Sequence, residues 1–213
     1  MVFQLDIDFV FPPVYLSEED GLLAVGGDLS PERLLLAYQS GIFPWFNEGD
    51  VIMWWSPRMR MVVDPEYYVV PKSLRSTIKK TSFEITWNTC FEEVIRQCSE
   101  TPRKGEQGTW ISDEIIRSYS TLHKMGYAKS VEVWQNCELV GGLYGVDLGH
   151  VFCGESMFSK TSNASKVAFV WLVNHLKENG YAMLDCQMYN HHLALLGAQE
   201  IERENFMKIL KDI

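Results

Sequence analysis

The stretch "LDCQMYN", residues 184–190, sets a carboxylate and a carboxamide two positions apart. Alternate side chains of a strand face the same way, so Asp185 and Gln187 would share one face and Leu184, Cys186 and Met188 the other. Polar groups beside apolar runs are costly unless hydrogen-bonded. The pattern suits polar residues at a sheet rim. It also suits a pair in which Asp185 orients or deprotonates an attacking group while Gln187 holds the substrate or a developing oxyanion. "FCGESMFS", residues 152–159, places Glu155 inside an apolar run. A carboxylate there needs a cation, either an internal salt bridge or the positive end of a substrate. Gly154 before it lets a backbone or a ligand come close.

Two other stretches carry possible binding chemistry. "GIFPWFNEGDVIMWWSP" (41–57) crowds Phe43, Trp45, Phe46, Trp54 and Trp55 into a segment that Pro44, Asn47, Gly49 and Asp50 keep from being one helix. Such rings build either a small loop-packed core or a stacking wall for a base or aromatic substrate. "PKSLRSTIKKTS" (71–82) holds Lys72, Arg75, Lys79 and Lys80 with no acid among them. As a helix it would put Lys72, Arg75 and Lys79 on one face, a solvated surface or a phosphate contact. The net charge of -9 disfavours a protein that coats nucleic acid non-specifically.

The five cysteines are scattered, odd in number and without a paired spacing. They read as reduced thiols of a cytoplasmic protein, and no Cys/His set has the spacing of a metal site. The composition, 46% hydrophobic and 22% charged, is globular. No apolar run approaches the ~20 residues of a membrane span. The N-terminus has no basic region ahead of its apolar residues and does not read as a signal peptide.

The positioning elements follow from punctuation and period. "GGDLSPERLLLAYQSG" is a helix, with Ser30 as N-cap, Pro31 at its first position and Gly41 past its end. Strands are expected over 58–65 and 82–88, a helix over 90–100, a polar loop over 101–112, and a helix capped by Ser112. From Lys129 the period shortens to that of strands, and "SVEVW", "ELVGGLYGVDL" and "HVFCGESMF" predict an antiparallel meander. Residues 163–180 form the strongest helix, with Phe169, Leu172, Val173 and Leu176 on one buried face. "YAMLDCQMY" predicts a central strand, and "HHLALLGAQE" a short helix and turn before a polar end. The order is helix-rich, then β-meander, helix, strand and short helix: α+β, with a boundary near 65–80 and no linker to mark it.

Together these motifs resemble one family. "GLLAVGGDLSPERLLLAYQSGIFPWF", "WWSPRMR", "GTWIS", "YSTLHKMGYAKSVEVW", "ELVGGLYGV", "FCGESMFS", "NASK" and "LDCQMYN…LGAQEI" run in order from about residue 21 to 204 and resemble the leucyl/phenylalanyl-tRNA–protein transferases. The resemblance implies a small N-terminal domain (1–70) on a larger catalytic domain (71–213) similar to the acyl-CoA N-acyltransferases, with a mostly antiparallel sheet. It implies transfer of Leu or Phe, less readily Met, from leucyl-tRNA or phenylalanyl-tRNA to the N-terminal α-amine of proteins that begin with Arg or Lys. The new apolar N-terminus marks the protein for degradation by the N-end rule pathway.

The resemblance implies Asp185 and Gln187 as catalytic residues, and Glu155 and Asn190 at the acceptor peptide. Leu143, Gly154, Met157, Phe169, Leu172 and Leu176 would form the aminoacyl pocket. Tyr38, Trp45, Trp110 and Tyr119 would line the site of the aminoacyl end and its adenosine, and the basic segment would hold tRNA phosphates. An aminoacyl ester is already activated, so neither cofactor nor metal is expected. A CoA-dependent acetyltransferase would need a glycine-rich pyrophosphate loop where this chain reads "SKTSNASK". A non-catalytic RNA-end binder would be indifferent to Asp185 and Gln187. A related transferase for acidic N-termini would set like charge against Glu155.

Overall fold

A computed structural model describes residues 2–80, 82–101 and 110–212. The chain opens with β1 (Phe3–Leu5) and β2 (Leu22–Gly26), which lie parallel. Next is α1 (Pro31–Gln39), where Ser30 Oγ accepts from the Arg33 N–H as its cap position requires. β3 (Phe43–Pro44) and β4 (Met53–Trp55) then form a hairpin, and the small sheet runs β1-β2-β4-β3. The segment expected to be helix-rich is therefore mostly sheet. Asn47 to Asp50, which bar a helix, supply the turn, with the Asp50 N–H donating to the Asn47 carbonyl. Pro44 is tolerated because β3 is an edge strand. Trp54 fills the centre of this layer, fully buried, and donates Nε1–H to the Gly26 carbonyl at 2.9 Å.

β5 (Met59–Val63) already pairs in a second, seven-stranded sheet. The chain thus changes sheets across residues 56–58, ahead of the division expected at 70/71. α2 (Lys72–Lys80), β6 (Glu84–Trp87), α3 (Phe91–Glu100) and α4 (Asp113–Lys124) follow, α4 capped by Ser112 Oγ. The residues of the expected polar loop at 102–109 lie outside those described. The meander is β7 (Ala128–Gln135), β8 (Glu138–Asp147) and β9 (Val151–Ser159), antiparallel throughout as its period predicts. α5 (Ala164–Glu178) buries Phe169, Leu172, Val173 and Leu176.

The end of the chain departs from expectation. β10 (Met183–Asp185) is only three residues long, parallel to β9 and antiparallel to β5. α6 (His191–Leu195) follows, capped by Asn190. The expected turn at Gln199–Glu200 and the polar end after it are β11 (Gln199–Glu202) on the sheet edge and α7 (Arg203–Lys211), which buries Phe206 and Leu210. The large sheet runs β11-β5-β10-β9-β8-β7-β6, and among the described residues β9–β10 is its one parallel pair. Alternate residues of β5 enter different cores. Met61 and Val63 join α5 and Leu184 on one side, while Val62 joins a core that runs from Leu23 and Trp54 of the small sheet to Val94, Phe158 and Leu210. The two sheets are bonded by shared apolar burial. No helix among the described residues is long and apolar enough to cross a membrane.

Candidate active site

Glu155 is aimed by a β-bulge. Gly145 pairs with Gly154 and Tyr144 with Ser156, so Glu155 is the extra residue on β9. A bulge re-aims the side chain it carries and is often found beside active sites. Gly145 is required opposite it, because a Cβ there would collide with the Cys153 carbonyl. The Glu155 carboxylate is bound by three donors. Oε1 accepts from Tyr38 Oη at 2.7 Å and from Gln187 Nε2 at 2.6 Å, and Oε2 accepts from Tyr119 Oη at 3.2 Å. The two tyrosine oxygens also touch each other, and since each hydroxyl has one proton, a bond between them alternates with one of the two to Glu155. Burial pushes the Glu155 pKa up to about 8, against the lowering effect of those three hydrogen bonds, and the Asp185 charge adds to the rise.

Of the two cations expected for Glu155, the internal salt bridge is not formed among the described residues; three neutral donors hold the carboxylate instead. Tyr38 and Tyr119, expected at the site of the aminoacyl end and its adenosine, are buried at 1% and 0% exposure and line neither of the two cavities that meet at Glu155. Desolvation, with Glu155's charge next, pushes both phenols well above their ordinary values, so they stay protonated and donate.

Asp185 has a different neighbourhood from the one its strand pattern suggests. It is fully buried and gripped by Arg60, with Nε donating to Oδ1 at 2.8 Å and Nη2 to Oδ2 at 2.7 Å. Oδ1 also accepts the Gln187 N–H at 2.8 Å. Gln187 is beyond the strand, with φ +67°, so the expected two-residue alternation does not hold there. It still reaches Glu155 because the Asp185 turn swings it across. Arg60 was legible but unused: a guanidinium in the apolar run of β5 calls for a buried acid.

Two cavities meet at this junction. An apolar pocket of about 80 Å³ is lined by Leu143, Gly154, Met157, Phe169 and Leu172, together with Leu184, Cys186 and Leu193. Leu176, expected in that pocket, is packed in the core beneath α5 instead. A cleft of about 280 Å³ lies between Phe43, Pro44, Trp45 and Trp110 on the one hand and Met188, Tyr189 and Asn190 on the other. Glu155, Cys186, Gln187 and Leu193 line both. Trp45 leaves 42% of its surface open and Trp110 only 7%. Asn190 Oδ1 is engaged by the His192 N–H at 2.8 Å, so its first duty is the α6 cap. Burial, with Asp185's charge next, raises the Cys186 thiol far above its ordinary value, which leaves it protonated and a poor nucleophile.

Lys72 and Arg75 are exposed on α2, and Arg75 Nε donates to the Val70 carbonyl at 2.8 Å. The side chains of Lys79 and Lys80 lie outside the described residues.

An apolar pocket thus opens beside a carboxylate able to take a proton and an aromatic cleft. The class of chemistry comes from comparison with known proteins. The leucyl/phenylalanyl-tRNA protein transferase family matches residues 62–211, and its N-terminal domain matches residues 27–58. The leucyl/phenylalanyl-tRNA–protein transferase of Flavobacterium johnsoniae is 60% identical over 96% of this chain and 96% of its own. That of Nitrosospira multiformis is 54% identical over 100% of this chain and 92% of its own. Among solved structures, FemX superposes with TM-score 0.52 and 12% identity over 80% of this chain and 66% of its own, a likeness of fold alone. The chain belongs to the leucyl/phenylalanyl-tRNA–protein transferases. It is an aminoacyltransferase, its donor an aminoacyl-tRNA and its acceptor a protein.

Proposed function

We propose that the enzyme moves Leu or Phe, and Met less readily, from leucyl-tRNA or phenylalanyl-tRNA to the α-amine of proteins that begin with Arg or Lys. The transfer marks them for degradation by the N-end rule pathway. Charged tRNA is met where translation runs, so the place of action is the cytoplasm. The observation that carries the reading is the meeting of the apolar pocket and the aromatic cleft at Glu155 and Gln187.

In this reading the aminoacyl side chain enters the pocket of Leu143, Gly154, Met157, Phe169 and Leu172. The terminal adenosine stacks in the cleft at Trp45 and Trp110, which suits a site that reads the end common to several tRNAs. Lys72 and Arg75 hold acceptor-stem phosphates. The acceptor's amine approaches Glu155, with Gln187 and Asn190 beside it.

A carboxylate offers about four lone-pair sites and three here are taken, which leaves one for the amine. The α-ammonium has an ordinary pKa of about 7.7–8.0. Glu155, held near 8, can therefore take its proton almost without cost. The neutral amine attacks the ester carbonyl and a peptide bond forms; the carbon–oxygen bond to the ribose breaks, the nitrogen's second proton passes to that ribose oxygen, and Glu155 later returns the first to solvent. Gln187 steers the amine, and Asp185 acts by position. The protonated Cys186 takes no covalent part.

The test is transfer of labelled leucine from leucyl-tRNA to peptides that begin with Arg, Asp and Ala. Transfer to the Arg peptide alone is expected. Transfer to the Asp peptide would overturn the acceptor assignment and leave the reaction class.

A further inference from the structure

Arg60 lies in a strand that otherwise carries Met59, Met61, Val62 and Val63, and it is 1% exposed. A guanidinium buried this deeply is costly unless its donors are used. It meets four parts of the chain. Two donors grip Asp185 at the end of β10, and Nη1 donates to the Gly41 carbonyl past α1 at 3.2 Å. Its plane faces the ring of Phe43 on β3 at 4.7 Å and the ring of Phe206 on α7 at 4.5 Å. Gly41 and Phe43 lead directly into Trp45. Asp185, in turn, holds the Gln187 N–H, and Gln187 stands at φ +67°. A non-glycine residue keeps that conformation only where its surroundings impose it. Gln187 Nε2 then reaches Glu155 at 2.6 Å.

We propose that Arg60 is the positioning residue of the transfer site. Through Asp185 it fixes the turn that presents Gln187 to Glu155, and through Gly41 and Phe43 it fixes the facing aromatic wall. The inference rests on the transfer reading above. It makes Asp185 a second positioning residue and leaves the proton to Glu155.

The experiment measures leucine transfer across pH for Arg60→Lys, Asp185→Asn and their combination, with thermal midpoints alongside. Wild-type transfer to an Arg-starting peptide in the same assay tests the transfer reading by itself. Arg60→Lys keeps the charge and loses the two-pronged grip. Each single variant should lower kcat about tenfold or more, and KM for leucyl-tRNA should rise more in Arg60→Lys, which also loosens the aromatic wall through Gly41 and Phe43, than in Asp185→Asn. The double variant should be no slower than the slower single, because both act through one turn. The acid limb of the pH profile should persist in all three, in place in Arg60→Lys and displaced to lower pH in Asp185→Asn and the double, where the like charge that raises Glu155 is gone. Loss of that limb in Asp185→Asn would make Asp185 the base and overturn the proposal, as would wild-type kcat in Arg60→Lys or multiplied losses in the double. Arg60→Met with Asp185→Leu removes the buried charges together and guards against a folding failure. Folded, it should still be about tenfold slow or worse, and recovery of wild-type kcat would also overturn the proposal.

Discussion

Glu155 ties stability and activity to the same proton. Its folded pKa of about 8 stands above the ordinary 4.5, so the folded state holds a proton that the unfolded chain releases. Stability from this group is therefore full below about pH 4.5 and falls as pH rises toward 8. Glu155→Gln removes the titration. Relative to wild type it should gain about 2 kcal/mol between pH 5 and pH 9 in denaturant melts, after allowance for partial solvent access. A pH-independent difference would refute the raised pKa. Gly154 makes a second case. A Cβ there would meet the Asp185 carbonyl at 3.5 Å and Leu184 Cδ1 at 3.7 Å, ordinary contacts, so packing does not require glycine. The glycine leaves space in the pocket that it lines. Gly154→Ala should fold normally and lower transfer of Phe relative to Leu by about tenfold, since small changes in an apolar pocket are worth ~1–3 kcal/mol. An unchanged Phe/Leu ratio in competition assays would remove Gly154 from selectivity.

At the scale of elements, what could be read depended on whether the signal was local. Ser30 and Ser112 announce α1 and α4 because a cap bonds three residues along its own chain. The meander and α5 are legible by period. β10 was legible as a strand but not in length, because its end is set by Arg60 from another strand and by the turn at Gln187. The bulge at Glu155 is invisible in sequence, since it is a property of pairing with β8. The candidate pocket residues were found through resemblance. That Tyr38 and Tyr119 bond Glu155 was not legible, because a tyrosine's ring looks alike to sequence whether it faces a base or a carboxylate. The β3–β4 hairpin leaves Trp45 open while Trp54 is buried. Trp45→Ala should therefore spare stability and raise KM for leucyl-tRNA, by about tenfold if one base is stacked there. An unaltered KM would move the adenosine elsewhere; a fall in thermal midpoint as large as that of Trp54→Ala would make Trp45 core.

The whole molecule must bring a polyanion to an acidic protein. With a net charge of -9, most of the surface repels tRNA, so approach depends on local cationic ground. α2 offers it without any acid in its own sequence, and Leu74 anchors the helix in the core that also packs the pocket residues Leu143, Phe169 and Leu172. A phosphate held on α2 would thus be in fixed register with the aminoacyl pocket. Lys72→Ala with Arg75→Ala should weaken leucyl-tRNA binding and lower the slope of log affinity against log salt by roughly 1.5, the release of about two counterions. The intrinsic rate of transfer at saturating tRNA should change little, because neither residue lines the two cavities. If affinity falls at every salt concentration while the slope holds, the pair supports the helix and does not touch phosphate. The acceptor stem would then have to cross another face of the molecule.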